Sequence, residues 1–170
     1  MKKLKFGIIL ILFLGIIINL NAQVPKLQSI FIYNFTKYIE WPASVRSGDF
    51  VIGILGNSPI EGELNNLAAA KKVGSQPIVI KIYKSADEIG VCHVLFIPSS
   101  KSDEIGKAVS KIGQKNTLII TEKEGMASKG SSINFVIREN KQKFELNMAN
   151  TSKMGLKVSS SLQQLAILVN

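Results

Sequence analysis

Hydrophobic and polar positions follow two rhythms along this chain. In residues 26–40, apolar side chains recur at steps of three and four, which predicts an amphipathic helix that ends before Trp41-Pro42. Its predicted inward stripe is Leu27, Ile30, Phe31, Phe35, Tyr38 and Ile39. Nearly continuous apolar runs then recur, and such runs are typical of strands buried inside a sheet. The predicted strands span residues 50–55, 77–83, 91–97 and 116–121.

Amphipathic segments lie between these apolar runs. They predict helices over residues 60–70, with Leu64, Leu67 and Ala68 inward, and over residues 102–112. Ser102 is a candidate N-cap of the second helix, with Asp103 and Glu104 in its first turn. The alternation predicts an α/β fold, a three-layer αβα sandwich with a mostly parallel sheet. Since no linker or repeat is visible, residues 23–170 are expected to form one domain.

The pattern changes in the last third of the chain. Residues 131–138 and 143–148 predict two antiparallel strands, a more exposed hairpin near one edge of the sheet. A short helix is expected over residues 149–154, ended by Gly155. Another helix is expected to start at Ser159 or Ser160, where Ser160 and Gln163 have capping-box spacing. The core face predicted for it is Leu162, Leu165, Ala166 and Val169.

The first 22 residues have the pattern of a secretory signal peptide. Three lysines precede an apolar run, Phe6 to Ile18, and small or polar residues follow it up to a predicted cut after Ala22. The run is shorter than the roughly 20 residues that span a bilayer. Retention of the segment as an anchor or interfacial helix stays open as the alternative. We therefore expect the domain to work outside the cytoplasm, with no stable membrane insertion after cleavage.

Net charge limits the classes of partner. The chain has 21 basic and 12 acidic residues; without the three lysines of the signal segment, the net charge falls from +9 to +6. The lysines are spread out and are not interleaved with aromatic residues, which argues against nucleic-acid binding. Acidic partners and anionic membrane surfaces remain compatible with this charge.

The residues that usually carry catalysis or bind metals are sparse. His93 is the only histidine and lies in an apolar run, which favours a core role. Neither a zinc-ligand spacing, nor a phosphate-binding glycine loop, nor a nucleophile elbow occurs in the sequence. Cys92 is the only cysteine and is expected to be buried, so no disulfide can form within the chain. We expect no catalytic residue, no metal site and no cofactor.

Two segments are candidates for a binding site. Residues 33–42 concentrate aromatic side chains, and we interpret Tyr38, Trp41 and Pro42 as a partner surface, with plain core burial as the alternative. Residues 122–130 form a polar loop after a predicted strand, and ligands in open α/β sheets bind beyond the carboxyl ends of strands. Its candidate ligand residues are Gly125, Met126, Lys129 and Gly130, with a solvated loop as the alternative.

Several blocks of the chain, in order, resemble the YfiR-like periplasmic proteins (YfiR/HmsC-like regulators of diguanylate cyclase signalling). The first blocks are Tyr33-Asn34-Phe35 and Glu40-Trp41-Pro42, directly after the signal segment. The others are Ile54-Leu55-Gly56, Cys92-His93-Val94-Leu95-Phe96-Ile97, Leu118-Ile119-Ile120-Thr121, Phe144-Glu145-Leu146-Asn147 and Gly155-Leu156-Lys157-Val158-Ser159-Ser160. Together they are distributed along nearly all of residues 26–168.

The resemblance implies an exported α/β sandwich without catalysis that tends to dimerise. The best-known member represses an inner-membrane diguanylate cyclase through its periplasmic sensory domain, and its release raises cyclic-di-GMP and promotes biofilm formation. The family often carries further cysteines that form redox-sensitive disulfides. Here Gly53 stands where one of them often precedes the Leu-Gly strand end, and no cysteine follows Cys92. The redox part of the family mechanism is therefore not expected in this chain.

The leading hypothesis is a periplasmic regulatory protein that binds and represses a membrane signalling protein, a diguanylate cyclase or a sensor kinase. Its proposed contacts are Tyr38, Trp41 and Pro42, followed by Arg138 and Lys143 of the hairpin. A homodimer stays open. The alternatives are a small-molecule sensor or carrier that uses Gly125 to Gly130, and a structural component of an envelope assembly.

Overall fold

The computed structural model describes residues 23–170, which fold as alternating strands and helices; the predicted signal segment lies outside this range. The helices are α1 (residues 23–38), α2 (Ile60–Ala70), α3 (Ile105–Ile112), α4 (Met148–Lys153) and α5 (Ser160–Leu165). The strands are β1 (Ile39–Glu40), β2 (Phe50–Leu55), β3 (Lys72–Val73), β4 (Gln76–Tyr83), β5 (Val94–Ile97), β6 (Leu118–Thr121), β7 (Ile133–Arg138), β8 (Lys141–Asn147), β9 (Lys157–Val158) and β10 (Ile167–Val169).

An eight-stranded sheet in the order β10-β8-β7-β6-β5-β2-β4-β3 organises the structure. The pairings β10–β8, β2–β4, β2–β5, β5–β6 and β6–β7 are parallel. Only the hairpin β7–β8 and the edge pair β3–β4 are antiparallel among the pairings of this sheet. The predicted fold class, an α/β sandwich with a mostly parallel sheet and a hairpin near one edge, is confirmed.

The helices cover both faces of the sheet. The connection from β2 to β4 and the one from β5 to β6 run in opposite directions across the sheet, so right-handed crossovers place α2 and α3 on opposite faces. Helix α1 packs on β7 and β8, where Phe31 and Phe35 contact Phe135 and Phe144. On its other flank, Tyr33 reaches the carbonyl of Lys72 in β3. Helix α1 thus crosses the middle of the sheet on the same face as α2, and α3 lies on the opposite face.

The face that α1 buries differs from the predicted stripe. Phe35 and Ile39 are buried as expected. Leu27, Ile30 and Tyr38, which were also predicted to face inward, are 41%, 45% and 38% exposed. The buried positions include Gln28, Ser29 and Ile32 instead. Gln28 is accommodated because its amide donates to Glu122 Oε2 at 3.1 Å, and Ser29 Oγ donates to the carbonyl of Lys26 at 2.8 Å. Satisfied polar groups can replace apolar ones in a buried face.

Several predicted element ends differ from the structure, most clearly at the start of α3, the start of β5 and the end of α5. Ser102 lies inside a 3-10 turn, Ser99–Glu104, and does not cap α3. Strand β5 begins at Val94, not at Val91, which is 69% exposed. The last helix starts at Ser160 as predicted, but its cap is Ser159, which accepts from the N–H of Leu162. The helix ends earlier than predicted, at Leu165. Ala166 and Val169 therefore lie beyond this helix, and Val169 belongs to β10, which pairs with β8.

The hairpin is more buried than its sequence pattern predicts. Its turn consists of Glu139 and Asn140 alone, both with positive φ (54° and 58°), which suits a tight two-residue turn. Most of β7 and the second half of β8 are buried. The reason is that β10 covers the outer edge of β8, so the hairpin is not the edge of the sheet.

Candidate functional site

A cavity of about 590 Å³ opens at the amino ends of β2 and β4. We call it the Trp41 groove. Strands β1 and β9 pair antiparallel as a separate two-stranded ribbon. The walls of the groove come from the end of α1, this ribbon and the turn between β3 and β4. They comprise Thr36, Lys37, Tyr38, Ile39, Glu40, Trp41, Arg46, Phe50, Val73, Gly74, Ser75, Gln76, Lys157, Val158 and Ser159. Its volume lies in the range of roughly 300–1,000 Å³ that is usual for ligand sites.

The aromatic wall of the groove is held in place by the core. Trp41 is 5% exposed and meets the ring of Phe50 edge-on, with centroids 5.2 Å apart. Tyr38 is 38% exposed, so its ring remains accessible at the groove. Pro42 caps the 3-10 turn Ala43–Val45 and is not among the lining residues. Of the three aromatic-segment candidates, Tyr38 and Trp41 therefore share the groove.

The rim of the groove carries more positive than negative charge. Lys37, Arg46 and Lys157 face one acidic side chain, Glu40. Arg46 Nη2 pairs with Glu40 Oε1 at 2.6 Å, and its Nε donates to the carbonyl of Trp41 at 2.7 Å. Lys37 Nζ donates to Asn34 Oδ1 at 3.0 Å. Glu40 is thus neutralised within the protein, and the groove offers its remaining positive charge to an anionic group.

His93 has a structural role at the base of this region. Its Nδ1 accepts the N–H of Val51 at 3.0 Å, and its Nε2 lies 2.8 Å from the carbonyl of Val45. This pattern requires the proton on Nε2, because a carbonyl only accepts. The ring also stacks on Phe50, with centroids 4.5 Å apart. His93 thereby ties the turn that precedes Arg46 to strand β2.

The hairpin candidates lie apart from the groove and are engaged in ion pairs. Arg138 bonds to both oxygens of Glu124, and its Nη2 also lies 3.2 Å from Glu145 Oε1. The Arg138 guanidinium lowers the pKa of the Glu124 carboxyl through these bonds. Lys143 pairs with Glu139 at 3.1 Å. The structure therefore does not bring Arg138 or Lys143 together with Tyr38 and Trp41.

The loop over residues 122–130 is closed onto the core. Gly125 and Gly130 both have positive φ (78° and 113°) and bracket a 3-10 turn in which Met126 is buried. The side-chain amides of Asn147 and Asn150 both donate to the carbonyl of Ala127 in this turn. Lys129 is exposed. Met126 thus packs as a core residue in the segment for which the sequence predicted a ligand loop.

The crevice beyond the carboxyl ends of β2 and β5 is filled by the protein itself. A side chain at Gly56 would meet Lys101 Cε at 2.9 Å, so the lysine stem lies directly over this glycine. Lys101 Nζ pairs with Glu104 Oε1 at 2.6 Å, and Glu104 Oε2 accepts the N–H of Ala86 at 2.9 Å. The Trp41 groove lies at the opposite, amino ends of the strands.

Cys92 is expected to be unreactive in the folded protein. The residue is 2% exposed, and burial raises the pKa of its thiol to about 11. Because the thiolate is the reactive species, a thiol reagent at pH 7.5 should label Cys92 only after the chain is unfolded in urea. Labelling followed by absorbance or mass spectrometry measures this. Fast labelling of the folded protein would show that Cys92 is accessible, contrary to its burial.

The described residues show neither a metal-binding cluster nor a membrane-spanning helix. Within 23–170, no cluster of three or more His, Cys, Asp or Glu side chains is arranged to hold a metal ion. In the same range, none of the helices combines the length and apolar composition that crossing a membrane requires.

Sequence reasoning missed several residues of the groove. Arg46, Phe50, Gln76 and Lys157 come from separate segments that meet only in the folded chain. Gln76 is 7% exposed and its amide lies 3.4 Å and 3.3 Å from the carbonyls of Val45 and Ser47. The one available signal was the aromatic cluster before Trp41-Pro42, which locates a single wall.

Comparisons with known proteins point to one family and to a shared fold. The sequence model of the family described as YfiR/HmsC-like matches residues 25–167. Among curated proteins, none matches the chain significantly.

Two solved structures are similar in fold. One is a conserved domain protein from Vibrio cholerae O1 biovar El Tor, with a TM-score of 0.58 and 10% identity over 86% of this chain. The other is the ABC domain in complex with L-Trp from Streptococcus pneumonia, with a TM-score of 0.53 and 14% identity over 71% of this chain. The matches cover 60% and 55% of those two chains. Identities this low show a similar fold alone.

Proposed function

This chain belongs to the YfiR/HmsC-like family, and from that premise we propose that it docks on the extracytoplasmic domain of a membrane signalling protein and represses it. The family consists of periplasmic regulators of diguanylate cyclase signalling, not of enzymes. The partner in this proposal is a diguanylate cyclase or a sensor kinase of the inner membrane. Release of the protein would then raise cyclic-di-GMP and promote biofilm formation where the partner is a cyclase.

The observation that carries the docking proposal is the Trp41 groove. Interfaces derive most of their affinity from a few aromatic and arginine side chains in a desolvated centre with a polar rim. The groove has this composition, with Tyr38 and Trp41 beside Arg46 and with lysines at the rim. Arg46 is already held by Glu40 and the Trp41 carbonyl, so little side-chain entropy is lost on binding. An extended segment of the partner with an acidic side chain fits this surface.

Repression follows from selective binding. A sensory domain exchanges between conformations, and a protein that binds one of them more tightly raises its population. To move a partner from about 99% active to about 99% inactive, the regulator must bind the inactive conformation about 10⁴-fold more tightly than the active one. A signal that weakens the complex returns the partner to its own equilibrium. The regulator needs no catalytic group for this.

We expect Tyr38→Ala and Arg46→Glu each to weaken partner binding by about 10- to 30-fold, a range typical of interface anchors. Both side chains are substantially exposed, so folding should be retained. Binding is measured by titrating the extracytoplasmic domain of a membrane cyclase or kinase that co-purifies with the protein. Cyclic-di-GMP in cells carrying each variant gives the functional readout.

Lys111→Glu on α3 serves as the control for the charge reversal at Arg46. Lys111 is exposed and lies on the opposite face of the sheet, so the change should leave binding near its original value. Should both groove variants keep full affinity while their melting temperatures are unchanged, docking through the groove is wrong. Recovery of no membrane signalling protein in the purification would count against the partner class itself.

The volume of the groove favours one second candidate, a periplasmic small-molecule sensor or carrier. About 590 Å³ is enough for a small metabolite, and the aromatic walls would stack on a flat one. The test is a thermal shift of the purified protein alone against a panel of periplasmic metabolites. A shift that Tyr38→Ala abolishes supports this reading, and no shift with any compound argues against it.

A further inference from the structure

Helix α1 leaves one flank of apolar side chains uncovered. Leu27, Ile30 and Tyr38 are 41%, 45% and 38% exposed. With Asn34 they follow one another at steps of three, four and four, which places them on one flank of the helix. Exposed apolar side chains are common singly, but several of them on one flank of a helix indicate an interaction surface.

This flank faces the β10 edge of the sheet. Tyr33, on the opposite flank, reaches Lys72 O of β3 at 3.4 Å. Across the sheet, Leu168 of β10 is 56% exposed. Leu168 is in register with Leu146, and Leu146 with Ile133, so Leu168 lies on the sheet face on which α1 packs. We call the set Leu27, Ile30, Tyr38 and Leu168 the α1–β10 face.

The segments around this face carry charges of one sign. Residues 23–38 and 148–170 contain Lys26, Lys37, Lys153 and Lys157, and neither segment contains Asp or Glu. All four lysines are exposed. The acidic residue that follows α1, Glu40, is paired with Arg46. The face therefore combines apolar side chains with exposed lysines, of which Lys37 also donates to Asn34 Oδ1 and lies 4.7 Å from the ring centre of Tyr33.

We propose that the α1–β10 face rests on an anionic lipid surface. Interfacial helices insert apolar side chains at the headgroup boundary, while lysines beside them bind acidic headgroups. Leu27, Ile30 and Tyr38 supply the apolar part, and Lys26 and Lys37 lie on the same helix. A second copy of the chain fits less well, because a two-fold interface would bring the lysines of both copies together.

This inference goes beyond the proposed docking function, since it requires no protein partner. A regulator held at the membrane surface is confined near the extracytoplasmic domain of a membrane protein. Tyr38 and Lys37 belong to both surfaces, so Arg46→Glu, which lies in the groove alone, tests the partner. Vesicles without a protein partner test the lipid surface, and the two claims therefore fail separately.

The test is sedimentation with lipid vesicles. The protein is purified from the periplasm of expressing cells, with its first residue established by mass spectrometry. Vesicles of phosphatidylethanolamine with about one-third phosphatidylglycerol should bind it at least about 25-fold more tightly than vesicles of phosphatidylcholine alone, since each of Lys26 and Lys37 contributes about fivefold near an anionic surface. Lys26→Gln/Lys37→Gln should then lower partitioning by roughly 25-fold. Ile30→Glu should lower it as strongly, because it places a carboxylate at the lipid boundary.

The matched control is Lys107→Gln/Lys111→Gln on α3, which removes the same net charge from the opposite face of the sheet. It should change partitioning less than threefold. Equal losses for the two double variants would mean that net charge alone drives binding and would overturn the proposal. So would equal binding to both vesicle types, or a stable homodimer in solution that Ile30→Glu dissociates. Melting curves of all variants confirm that the fold is retained.

Discussion

Replacing Phe35 by alanine is expected to lower the free energy of unfolding by about 3–5 kcal/mol, the usual cost of a large aromatic truncation in a core. Phe35 is 1% exposed and its ring centroid lies 6.0 Å from those of Phe31 and Phe135, and 5.0 Å from that of Phe144. These four rings are the main contact of α1 with β7 and β8. The truncation leaves a cavity between a helix and a sheet, which cannot close without moving one of them. Urea denaturation at constant pH measures the change.

Tyr38→Ala is the matched control on the same helix. Tyr38 is 38% exposed and lies outside the aromatic cluster, so its truncation should cost less than about 1 kcal/mol. A loss below about 1 kcal/mol for Phe35→Ala would show that α1 is not firmly docked. The groove beside it would then lack a fixed wall, and both binding proposals would lose their structural basis.

The central strands and the helix between two of them were predictable from the sequence. Phe50–Leu55 and Ile60–Ala70 have the bounds that the pattern predicts. The reason is physical: a parallel strand covered on both faces must be apolar at nearly every position. Gly56 with φ of 73° and the following Pro59 then mark the turn into α2 unambiguously.

Helix α1 shows where periodicity misleads. Apolar residues occur on both the buried face and the β10 flank, so steps of three and four fit two different stripes. The true face is decided by contacts with distant residues, such as Gln28 with Glu122 and Phe35 with Phe144. Those contacts are not encoded in the local pattern.

The prediction for the end of the chain is wrong for a related reason. Leu162, Leu165, Ala166 and Val169 have helical spacing, but the segment from Ile167 is taken up by pairing with β8. Short apolar segments are compatible with helix and strand alike, and tertiary pairing decides between them. The same pairing buries the second half of β8, although the sequence pattern of the hairpin predicted a more exposed strand.

The groove could be predicted only in part because it is assembled from non-contiguous residues. Tyr38 and Trp41 stand out in the sequence as aromatic, whereas Gln76 and Lys157 are ordinary polar residues until β4 and β9 bring them close. The expectation of a site at the carboxyl ends of the strands came from a general rule for open α/β sheets. In this chain Lys101 and Glu104 fill the central crevice of that end, and the large cavity lies at the other.

The second large effect is expected from Asn134→Leu, about 2–4 kcal/mol of lost stability. Asn134 is fully buried; its Oδ1 accepts from Thr121 Oγ1 at 2.7 Å and its Nδ2 donates to Glu145 Oε2 at 2.9 Å. Leucine has the same branching and the same number of side-chain heavy atoms, so the change replaces the hydrogen-bonding groups by bulkier methyl groups. The buried carboxylate of Glu145 would keep Arg138 but lose its inner donor, and leaving a buried charged group short of a partner is costly.

The double variant Asn134→Leu/Glu145→Leu separates this cause from loss of packing. It removes the carboxylate together with its donor. Its loss in the free energy of unfolding should therefore be about 1–2 kcal/mol smaller than the sum of the losses of the two single variants. Asn65→Leu on the exposed surface of α2 is the control for the side-chain change and should stay within about 0.5 kcal/mol. Additive losses would mean that the two side chains do not interact. Coupled losses would show that the hydrogen-bonded network from Thr121 through Asn134 and Glu145 to Arg138 acts as one unit. This network holds the hairpin to β6. Through the ion pair of Arg138 with Glu124, it also anchors the loop over residues 122–130.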